Sequence, residues 1–396
     1  MAGGVRCGDG VAVDADLVHA AETAARAALA ALPGDHADAG AVDAVPPDLA
    51  VVFVCGVDPD DVSAALERAA EVTGAATVLG CSAAGVIGGG RGVELTSAVS
   101  VWVAHLPGVS VRSFHLEVMR TSESIAVVGM PPTRDDDRAA VLLVDPYSFP
   151  VDAFVAQLHD ALPGMPLCGG NASGLRGPGS TRLFLDGVVH NRGAVGLVLG
   201  GDLAHRTVVS QGCRPVGPTM TVTAADGNVI LGLAGMTALA KLEQVLVDLP
   251  PAEQALVTTG LQLGVAMNEY ADDYGPGDFL VRGVLGADQE RGGLIVGDVV
   301  SVGQTVQLQV RDAESADADL TDLLGRVEGE VAGALLFSCT GRGAALFGTA
   351  DHDVRVVKDV LGPVGVAGFF AAGEIGPVGG RNHLHGFTAS LLAFLS

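Results

Sequence analysis

The chain has 396 residues, of which 49% are hydrophobic and only 4% are aromatic. This length predicts two or three domains, and the composition predicts a large core of small aliphatic side chains. The 22 basic and 46 acidic residues give a formal charge of −24, which argues against a nucleic acid or an anionic membrane surface as a partner.

The short length of the apolar runs and the composition of the first residues predict where the protein resides. Mean hydropathy is +0.43, yet Gly, Asp, Ser or Arg interrupts each run before it reaches the roughly 18 residues of a membrane helix. The opening sequence MAGGVRCGDGVAVDAD lacks the apolar centre of a secretory signal. We therefore expect a cytoplasmic protein.

The six cysteines form no CxxC pair, which disfavours zinc ribbons and disulfide scaffolds and predicts buried thiols.

The first predicted elements form a helix followed by a strand, a helix and a second strand. Small and apolar residues at helical spacing predict a helix over residues 14–32, ended by Pro33 and followed by a loop rich in Gly, Asp and Pro. The run LAVVFVCG at 49–56 predicts a buried strand. Asp58 and Pro59 predict the start of a helix that reaches about Thr73, and ATVLGCSAAG at 76–85 predicts the second strand.

The same order of strand, helix and strand occurs again at 139–174 and at 334–376. The second segment contains the runs AAVLLVDP, VDAFVAQLHDAL and MPLCGGNASG, and the third contains ALLFSCTGRG, HDVRVVKDVLG and VAGFFAAGEIG. We interpret the three segments as degenerate strand-helix-strand repeats. The alternative is a chance similarity of the kind that any α/β protein can show.

Alternating apolar and polar residues between these segments predict hairpin-like antiparallel strands. They lie at 97–106 with 109–118, at 181–201 with 204–212, and at 278–288 with 296–312. The predicted fold is therefore mixed α/β, with antiparallel-rich β-sheets flanked by helices and built in two modules. A helical stretch from about 235 to 255 is the predicted seam, which gives an N-terminal domain of residues 1–240 and a C-terminal domain of residues 241–396.

Small residues and glycines follow several predicted strands, at 80–85, 168–171 and 338–343. Such residues let a backbone approach a ligand and present its N–H groups to it. If the repeats stack about a shared axis, these ends converge on one pocket. The alternative is that the glycines only make turns.

Two cysteines and two histidines could support thiol chemistry. Cys339 or Cys81, with His383 or His385 and Glu374, supplies the residue types of a nucleophile, a base and an orienting carboxylate. No G-x-S-x-G elbow and no complete dinucleotide fingerprint accompanies them. A thiol-dependent hydrolase or transferase is therefore the alternative function.

The pair His383 and His385 would face the same side of a strand and could bind a metal or a haem iron. A hydrogen-bonded pocket histidine is the alternative. Arg342 and Glu374 stand where bulk and charge are costly, between glycines or beside one. A guanidinium recognises a carboxylate and a glutamate recognises an amine, so together they suit a zwitterion such as an amino acid. They could equally pair with each other as a buried bridge.

At these residues the sequence resembles the FIST domain proteins, whose paired N- and C-terminal modules occur in bacterial signal-transduction proteins and in an F-box protein. In the N-terminal half the resemblance rests on Leu79–Ser82 with Gly85, Cys168–Asn171, Phe184–Gly187 with Gly193–Val195, and Gly217–Val222. In the C-terminal half it rests on Phe337–Gly343, Gly368–Phe370, Gly373–Pro377, His383–His385 and Thr388.

The resemblance implies a sensory module that binds small molecules such as amino acids, and haem-based gas sensing is associated with some members. It leaves no kinase, receiver, cyclase or F-box segment in the chain, so the output would pass through a downstream signalling protein. Long apolar strand segments would also allow a homodimer. The expected ligand site contains Cys81, Ser82, Asn171, Cys339, Arg342, Glu374 and His383.

Overall fold

A computed structural model of the chain describes residues 4–33, 45–120, 125–162, 164–271, 273–275 and 277–396. The predicted loop after the first helix lies mostly outside these ranges. The chain divides into two compact units: unit 1 contains residues 1–210 and 320–396, and unit 2 contains residues 211–319. The predicted mixed α/β class, with mostly antiparallel sheets flanked by helices, is confirmed.

The N-terminal part of unit 1 contains seventeen described elements. In chain order they are β1 (Arg6–Val13), α1 (Leu17–Ala31), β2 (Leu49–Cys55), α2 (Pro59–Thr73), β3 (Thr77–Ala83), β4 (Gly85–Gly88), β5 (Arg91–Glu94), β6 (Ala98–His105), β7 (Val109–Arg120), β8 (Ile125–Val128), β9 (Asp137–Val144), α3 (Val151–Ala161), β10 (Leu167–Asn171), β11 (Leu183–Leu185), β12 (Val188–His190), β13 (Ala194–Gly201) and β14 (His205–Ser210).

Unit 2 carries one antiparallel sheet with helices packed against it. Its elements are β15 (Arg214–Asp226), β16 (Val229–Leu233), β17 (Met236–Thr237), α4 (Ala238–Asp248), α5 (Pro251–Gly260), β18 (Leu261–Ala266), β19 (Phe279–Asp288), β20 (Gly293–Val296) and β21 (Thr305–Val310). The sheet order is β15-β21-β18-β19-β20-β16-β17. Its core is aliphatic and includes Val222, Leu263 and Leu308.

Helix α6 (Ala313–Gly325) begins in unit 2 and ends in unit 1, where the remaining elements follow. These are β22 (Val331–Cys339), α7 (Ala344–Phe347), α8 (His352–Leu361), β23 (Gly365–Ala371), β24 (Glu374–Val378), β25 (Arg381–His385) and β26 (Ala389–Leu395).

The three predicted strand-helix-strand repeats are confirmed as β2-α2-β3, β9-α3-β10 and β22-α8-β23, each with its two strands parallel. Local signals explain the helix ends. The Asp58 side chain accepts hydrogen bonds from the backbone N–H groups of Asp60 and Asp61, Pro59 opens α2, and Gly74 closes it at a φ of 58°.

Each repeat forms the centre of its own sheet in unit 1. The orders are β1-β6-β2-β3-β11-β12, β25-β24-β10-β9-β13-β7-β8 and β14-β26-β22-β23-β4-β5. In every sheet an antiparallel strand borders the first repeat strand, and a hairpin from another repeat borders the second. The hairpin β4–β5 follows the first repeat but joins the third sheet, β11–β12 joins the first, and β24–β25 joins the second.

This exchange of hairpins ties the three sheets around one shared core. Phe53 from the first sheet, Val141 from the second and Phe337 and Phe369 from the third belong to the same buried cluster. The rings of Phe53 and Phe369 stack with their centroids 4.9 Å apart. The opposite face of each sheet packs on helices, so the repeat strands are buried on both sides and read as continuous apolar runs.

Two of the predicted hairpins are wrong. Strands β6 and β7 are consecutive, but β6 pairs with β1 and β2 whereas β7 pairs with β13 and β8. Likewise β13 pairs with β7 and β9, and β14 pairs with β26. Short connections suggested direct pairing, but each sheet is completed by strands from distant parts of the chain.

The seam predicted at 235–255 is helical, since it contains α4 and the start of α5, but it lies inside unit 2. The compact units are defined by contacts and not by family domains, so the predicted division into residues 1–240 and 241–396 stays a prediction. Among the described residues, no helix is both long and apolar enough to cross a membrane.

Candidate functional site

The ends of three repeat strands, β3, β10 and β23, meet in unit 1. Ser173, two residues after β10, links them: its hydroxyl donates to the carbonyl of Phe370 at 2.5 Å and accepts from the backbone N–H of Ala84 at 2.8 Å. Its own N–H donates to the carbonyl of Ser82 at 3.2 Å. We call residues 82–84, 171–173 and 370–373 the strand-end junction.

The junction brings together the strand ends that the sequence singled out, but as a closed hydrogen-bonded floor. A further hydrogen bond runs from the N–H of Asn171 to the carbonyl of Gly373 at 2.8 Å. Gly373 has a φ of 149°, which explains its glycine because side chains rarely tolerate that region. The segment at 338–343 lies one strand further out, attached by the N–H of Thr340 to the carbonyl of Ala371 at 3.0 Å.

A buried thiol and a buried carboxyl lie beside the junction. Cys339 ends β22 and is 7% exposed, and Glu374 begins β24 and is completely buried. Glu374 Oε2 accepts a hydrogen bond from the N–H of Thr388 at 3.0 Å. Its Oε1 accepts no hydrogen bond from an N–H or O–H group of the described residues, and the thiol of Cys339 offers only a weak S–H donor.

Burial sets the protonation of both groups. Removal from water raises the pKa of Glu374 to about 8, although the Thr388 N–H, the thiol and the Arg342 charge each lower it. Burial, reinforced by the neighbouring Glu374 carboxyl, raises the pKa of Cys339 to about 12. At neutral pH the site therefore holds a carboxylic acid beside a thiol, and not a thiolate.

Arg342 follows this strand and is fully buried in an ion pair. Its Nε and Nη2 donate to the two carboxylate oxygens of Asp353 at 2.8 and 2.9 Å. Asp353, which lies in the first turn of α8, also accepts from the hydroxyl of Ser338 at 2.7 Å and lies 2.9 Å from Nδ1 of His352. The Arg342 charge, His352 and Ser338 hold the pKa of Asp353 well below its usual range despite burial. We call Cys339, Arg342, Asp353 and Glu374 the thiol–carboxyl cluster.

Phe387 covers the turn that carries this cluster. A Cβ atom placed on Gly341 would lie 2.5 Å from the ring of Phe387 and 3.8 Å from the sulfur of Cys339, so ring and sulfur both pack on this glycine. Phe387 is 40% exposed and has a φ of 63°. A bulky residue in the left-handed region is strained, and such strain is concentrated at functional sites.

The other predicted site residues lie elsewhere. Cys81 is completely buried in the core shared by the three sheets, and burial raises its pKa well above the usual value. The Ser82 hydroxyl accepts from the N–H of Arg182 at 3.3 Å and belongs to the junction floor. Asn171 also lies in that floor, with its side-chain Oδ1 buried and without a hydrogen-bond donor among the described residues.

His383 and His385 lie on β25, the partner strand of β24, with ring centroids 5.8 Å apart. His385 is buried and pairs in register with Glu374, and its Nε2 lies 3.0 Å from the carbonyl oxygen of Gly376. That contact engages one ring nitrogen of His385, which agrees with a hydrogen-bonded pocket histidine, and haem binding stays a prediction. Within the described ranges, no group of three or more His, Cys, Asp or Glu side chains is placed to hold a metal ion.

Sequence reasoning missed the buried partners. Asp353 determines what Arg342 does, but it lies in an amphipathic helix where a charge normally indicates a solvent face. Ser173 acts through its hydroxyl, for which a single sequence carries no signal. Thr388 is among the residues of the resemblance, but nothing in the sequence indicates that its backbone N–H donates to Glu374. One sequence feature could have drawn attention to Asp353: it directly follows His352 in the first turn of α8, where the two side chains can pair.

The fold and the cluster define a class: a mixed α/β protein in which three strand-helix-strand repeats exchange hairpins and one repeat end carries buried ionisable groups. Comparison with known families then gives the particular family. Profiles of the FIST N domain and the FIST C domain match residues 48–236 and 238–377. The chain belongs to the FIST family, whose domains are generally sensory domains of signal transduction.

Similar proteins occur in mycobacteria. An uncharacterised protein of Mycobacterium tuberculosis is 43% identical over 399 residues, which cover 99% of this chain and 100% of the relative. An uncharacterised protein of Mycobacterium bovis is 40% identical over 395 residues, which cover 99% of both chains. Both matches extend over nearly the whole length of the chain.

Proposed function

We propose that the protein is a cytoplasmic sensor of a small molecule that carries an amine, such as an amino acid or a similar metabolite, and that the thiol–carboxyl cluster binds that amine. The observation that carries the proposal is Glu374 Oε1, a completely buried oxygen that receives no N–H or O–H donor within the described residues. Buried polar atoms are nearly always hydrogen-bonded, whether the carboxyl is protonated or ionised, so an oxygen without a partner calls for an explanation, and a ligand amine is a suitable partner.

The partners of Arg342 narrow the ligand chemistry. The guanidinium directs Nε and Nη2 to Asp353, so these two donors do not recognise a ligand carboxylate. The predicted zwitterion site therefore keeps only its amine-binding residue, Glu374, because Arg342 pairs with Asp353. Arg342 instead fixes the turn after β22 and, through its charge, lowers the pKa of the neighbouring Glu374.

Amine binding by this site is coupled to proton release. Free Glu374 has a pKa of about 8 and is mostly protonated at pH 7, whereas an ammonium group favours the carboxylate. Binding therefore displaces a proton, and affinity rises as the pH rises toward 8. Above that pH the carboxylate is already formed and this dependence ends.

Phe387 supplies a means of transmitting the signal. The ring covers the turn at Gly341, and its backbone is held at a φ of 63°. Displacement of this ring by a ligand would release a strained residue and so favour a second loop conformation. A downstream signalling protein would read the exposed side of that loop.

The test is to purify the untagged full-length protein, denature it and analyse the released small molecules by mass spectrometry. The expected result is a primary amine in stoichiometric amount from the wild-type protein and none from Glu374→Gln. Glu67→Gln, the same change at an exposed position of α2, should retain the amine. Equal amine content in the wild type and Glu374→Gln would overturn the proposal.

A further inference from the structure

A second cavity in unit 1 lies at the end of the second repeat, away from the thiol–carboxyl cluster. It has a volume of about 330 Å³ and is lined by Arg120 at the end of β7, Arg192 before β13, and Tyr147 and Ser148 after β9. The volume is in the lower part of the range that small-molecule pockets occupy, roughly 300–1,000 Å³.

The two arginines in this cavity place positive charge together in a strongly acidic chain. The protein has 22 basic residues against 46 acidic ones, and many arginines in the described ranges, such as Arg112 and Arg214, are paired with carboxylates. Neither Arg120 nor Arg192 has an ion pair or a side-chain hydrogen bond among the described residues, and both are exposed. Two guanidinium groups that line one cavity offer up to ten N–H donors to an oxyanion.

A hydrogen-bond network holds the turn that carries Tyr147 and Ser148. Asp145, completely buried, accepts from the hydroxyl of Thr181 at 2.6 Å and from that of Ser148 at 2.5 Å. The Ser148 hydroxyl in turn accepts from the N–H of Gly193 at 2.8 Å. This network fixes the turn that carries Tyr147 and ties it to the segment that carries Arg192.

Glu117 also lines the cavity, and its charge must be considered. Its Oε1 lies 3.9 Å from Nδ1 of His115, which gives the carboxylate a neighbour other than the arginines. A second hollow of about 390 Å³ shares Tyr147, Ser148 and Arg192. The carboxylate of Asp145 also lines it, but its two oxygens accept from Thr181 and Ser148, so this hollow suits the uncharged part of a ligand and not its anionic group.

We propose that this cavity is a binding site for a small oxyanion, a phosphate or carboxylate group of a metabolite, held by Arg120 and Arg192 with the hydroxyl of Tyr147. The site is separate from the amine site proposed above and does not depend on it. Arginine suits this task because its planar fork matches two oxygens of a carboxylate or phosphate.

The experiment is a calorimetric titration of the full-length protein with inorganic phosphate and, separately, with succinate, at fixed ionic strength. The expected result is saturable binding of at least one of the two, and the preferred one identifies the ligand chemistry. Arg192→Gln and Arg120→Gln should each weaken binding by about tenfold or more, because each removes charge-assisted hydrogen bonds. Tyr147→Phe should weaken it less.

The matched control is Arg91→Gln, which removes the same charge from an exposed position of unit 1 that does not line this cavity. It should bind as the wild type does. Circular dichroism checks that all variants are folded. The proposal is overturned if neither anion binds saturably to the wild type, or if Arg91→Gln weakens binding as much as Arg192→Gln does.

Discussion

The first and third repeats of unit 1 share a framework but differ at one strand end. Both β2 and β22 end in a cysteine that pairs in register with an alanine, Ala83 for Cys55 and Ala371 for Cys339. The thiol of Cys55 donates to the carbonyl of Ala84 at 3.3 Å, whereas Cys339 faces the carboxyl of Glu374.

The residue that begins the following hairpin strand explains this difference. In the first repeat it is Gly85, where a Cβ atom would lie 2.6 Å from the carbonyl oxygen of Val93 and 2.8 Å from the ring of Phe370. In the third repeat it is Glu374, which occupies a buried position and brings a carboxyl to the thiol. The comparison teaches that repetition builds the scaffold, and that a single exchanged position gives one strand end its chemistry.

The largest effect is expected from the buried ion pair of the third repeat. Arg342→Ala should lower the free energy of unfolding by about 3–5 kcal/mol, because Asp353 is left as an uncompensated buried charge. Arg68→Ala, in the first repeat, removes a more exposed ion pair with Glu22 and should cost much less. Urea denaturation measures both.

The paired substitution Arg342→Met with Asp353→Leu sharpens this comparison. It removes both charges together, so most of the lost stability should return. Equal losses for Arg342→Ala and Arg68→Ala would show that the third repeat is no more dependent on its charges than the first.

The next effect concerns the pH dependence of stability. The folded-state pKa of Glu374, about 8, is raised above the ordinary glutamate value of 4.5, so its stabilising contribution is complete below about pH 4.5 and is lost as the pH rises through 8. Glu374→Gln lacks this loss, and its stability relative to the wild type should improve by up to about 1.4 kcal/mol per pH unit in that window.

Denaturation curves across that pH window measure this difference, with Glu67→Gln as the control. The control curve should stay parallel to the wild type, since Glu67 is exposed. A constant difference between Glu374→Gln and the wild type at all pH values would contradict a raised pKa at this position.

A smaller effect is expected where the three repeats meet. Ser173→Ala removes the hydroxyl that joins Phe370 and Ala84, and the buried N–H and carbonyl groups left behind should cost about 1–3 kcal/mol. Ser180→Ala, which removes only a local turn bond to Gly177, serves as the control. Thermal unfolding of the two variants should differ clearly. Equal melting temperatures would mean that the junction adds nothing to stability.

The smallest effect concerns the rates at which the cysteines are alkylated. Iodoacetamide at neutral pH should label Cys213 first, because it is the one half-buried cysteine of the six. Cys55 and Cys339 should react slowly, since burial raises their pKa values to about 11 and about 12. Peptide mass spectrometry follows the labelling. Fast labelling of Cys339 would contradict this account and favour the thiol-dependent hydrolase or transferase.

The repeats could be predicted from the sequence because their strands are buried on both faces and read as apolar runs of strand length. Asp58 and Pro59 likewise marked the start of α2. The exchange of hairpins could not be predicted, because β4 and β11 carry no signal that names their distant partner strands. Chain proximity instead suggested that β6 pairs with β7, which is wrong.

The site could be predicted only in part for a similar reason. Glycine neighbours drew attention to Arg342 and Glu374, and both are completely buried. What each side chain contacts depends on residues far away in sequence or on another element, such as Thr388 and Asp353. The sequence also gave equal weight to Cys81 and Cys339, although the first lies in the shared core and the second at a strand end.

Thermal unfolding with a panel of amino acids and small amines shows whether Glu374 binds a ligand amine. The wild type, Glu374→Gln and Glu67→Gln should be compared at pH values below and near 8. The account predicts at least one compound that raises the melting temperature of the wild type and Glu67→Gln, more strongly near pH 8, and leaves Glu374→Gln unchanged. A panel in which every compound affects the wild type and Glu374→Gln alike would contradict it.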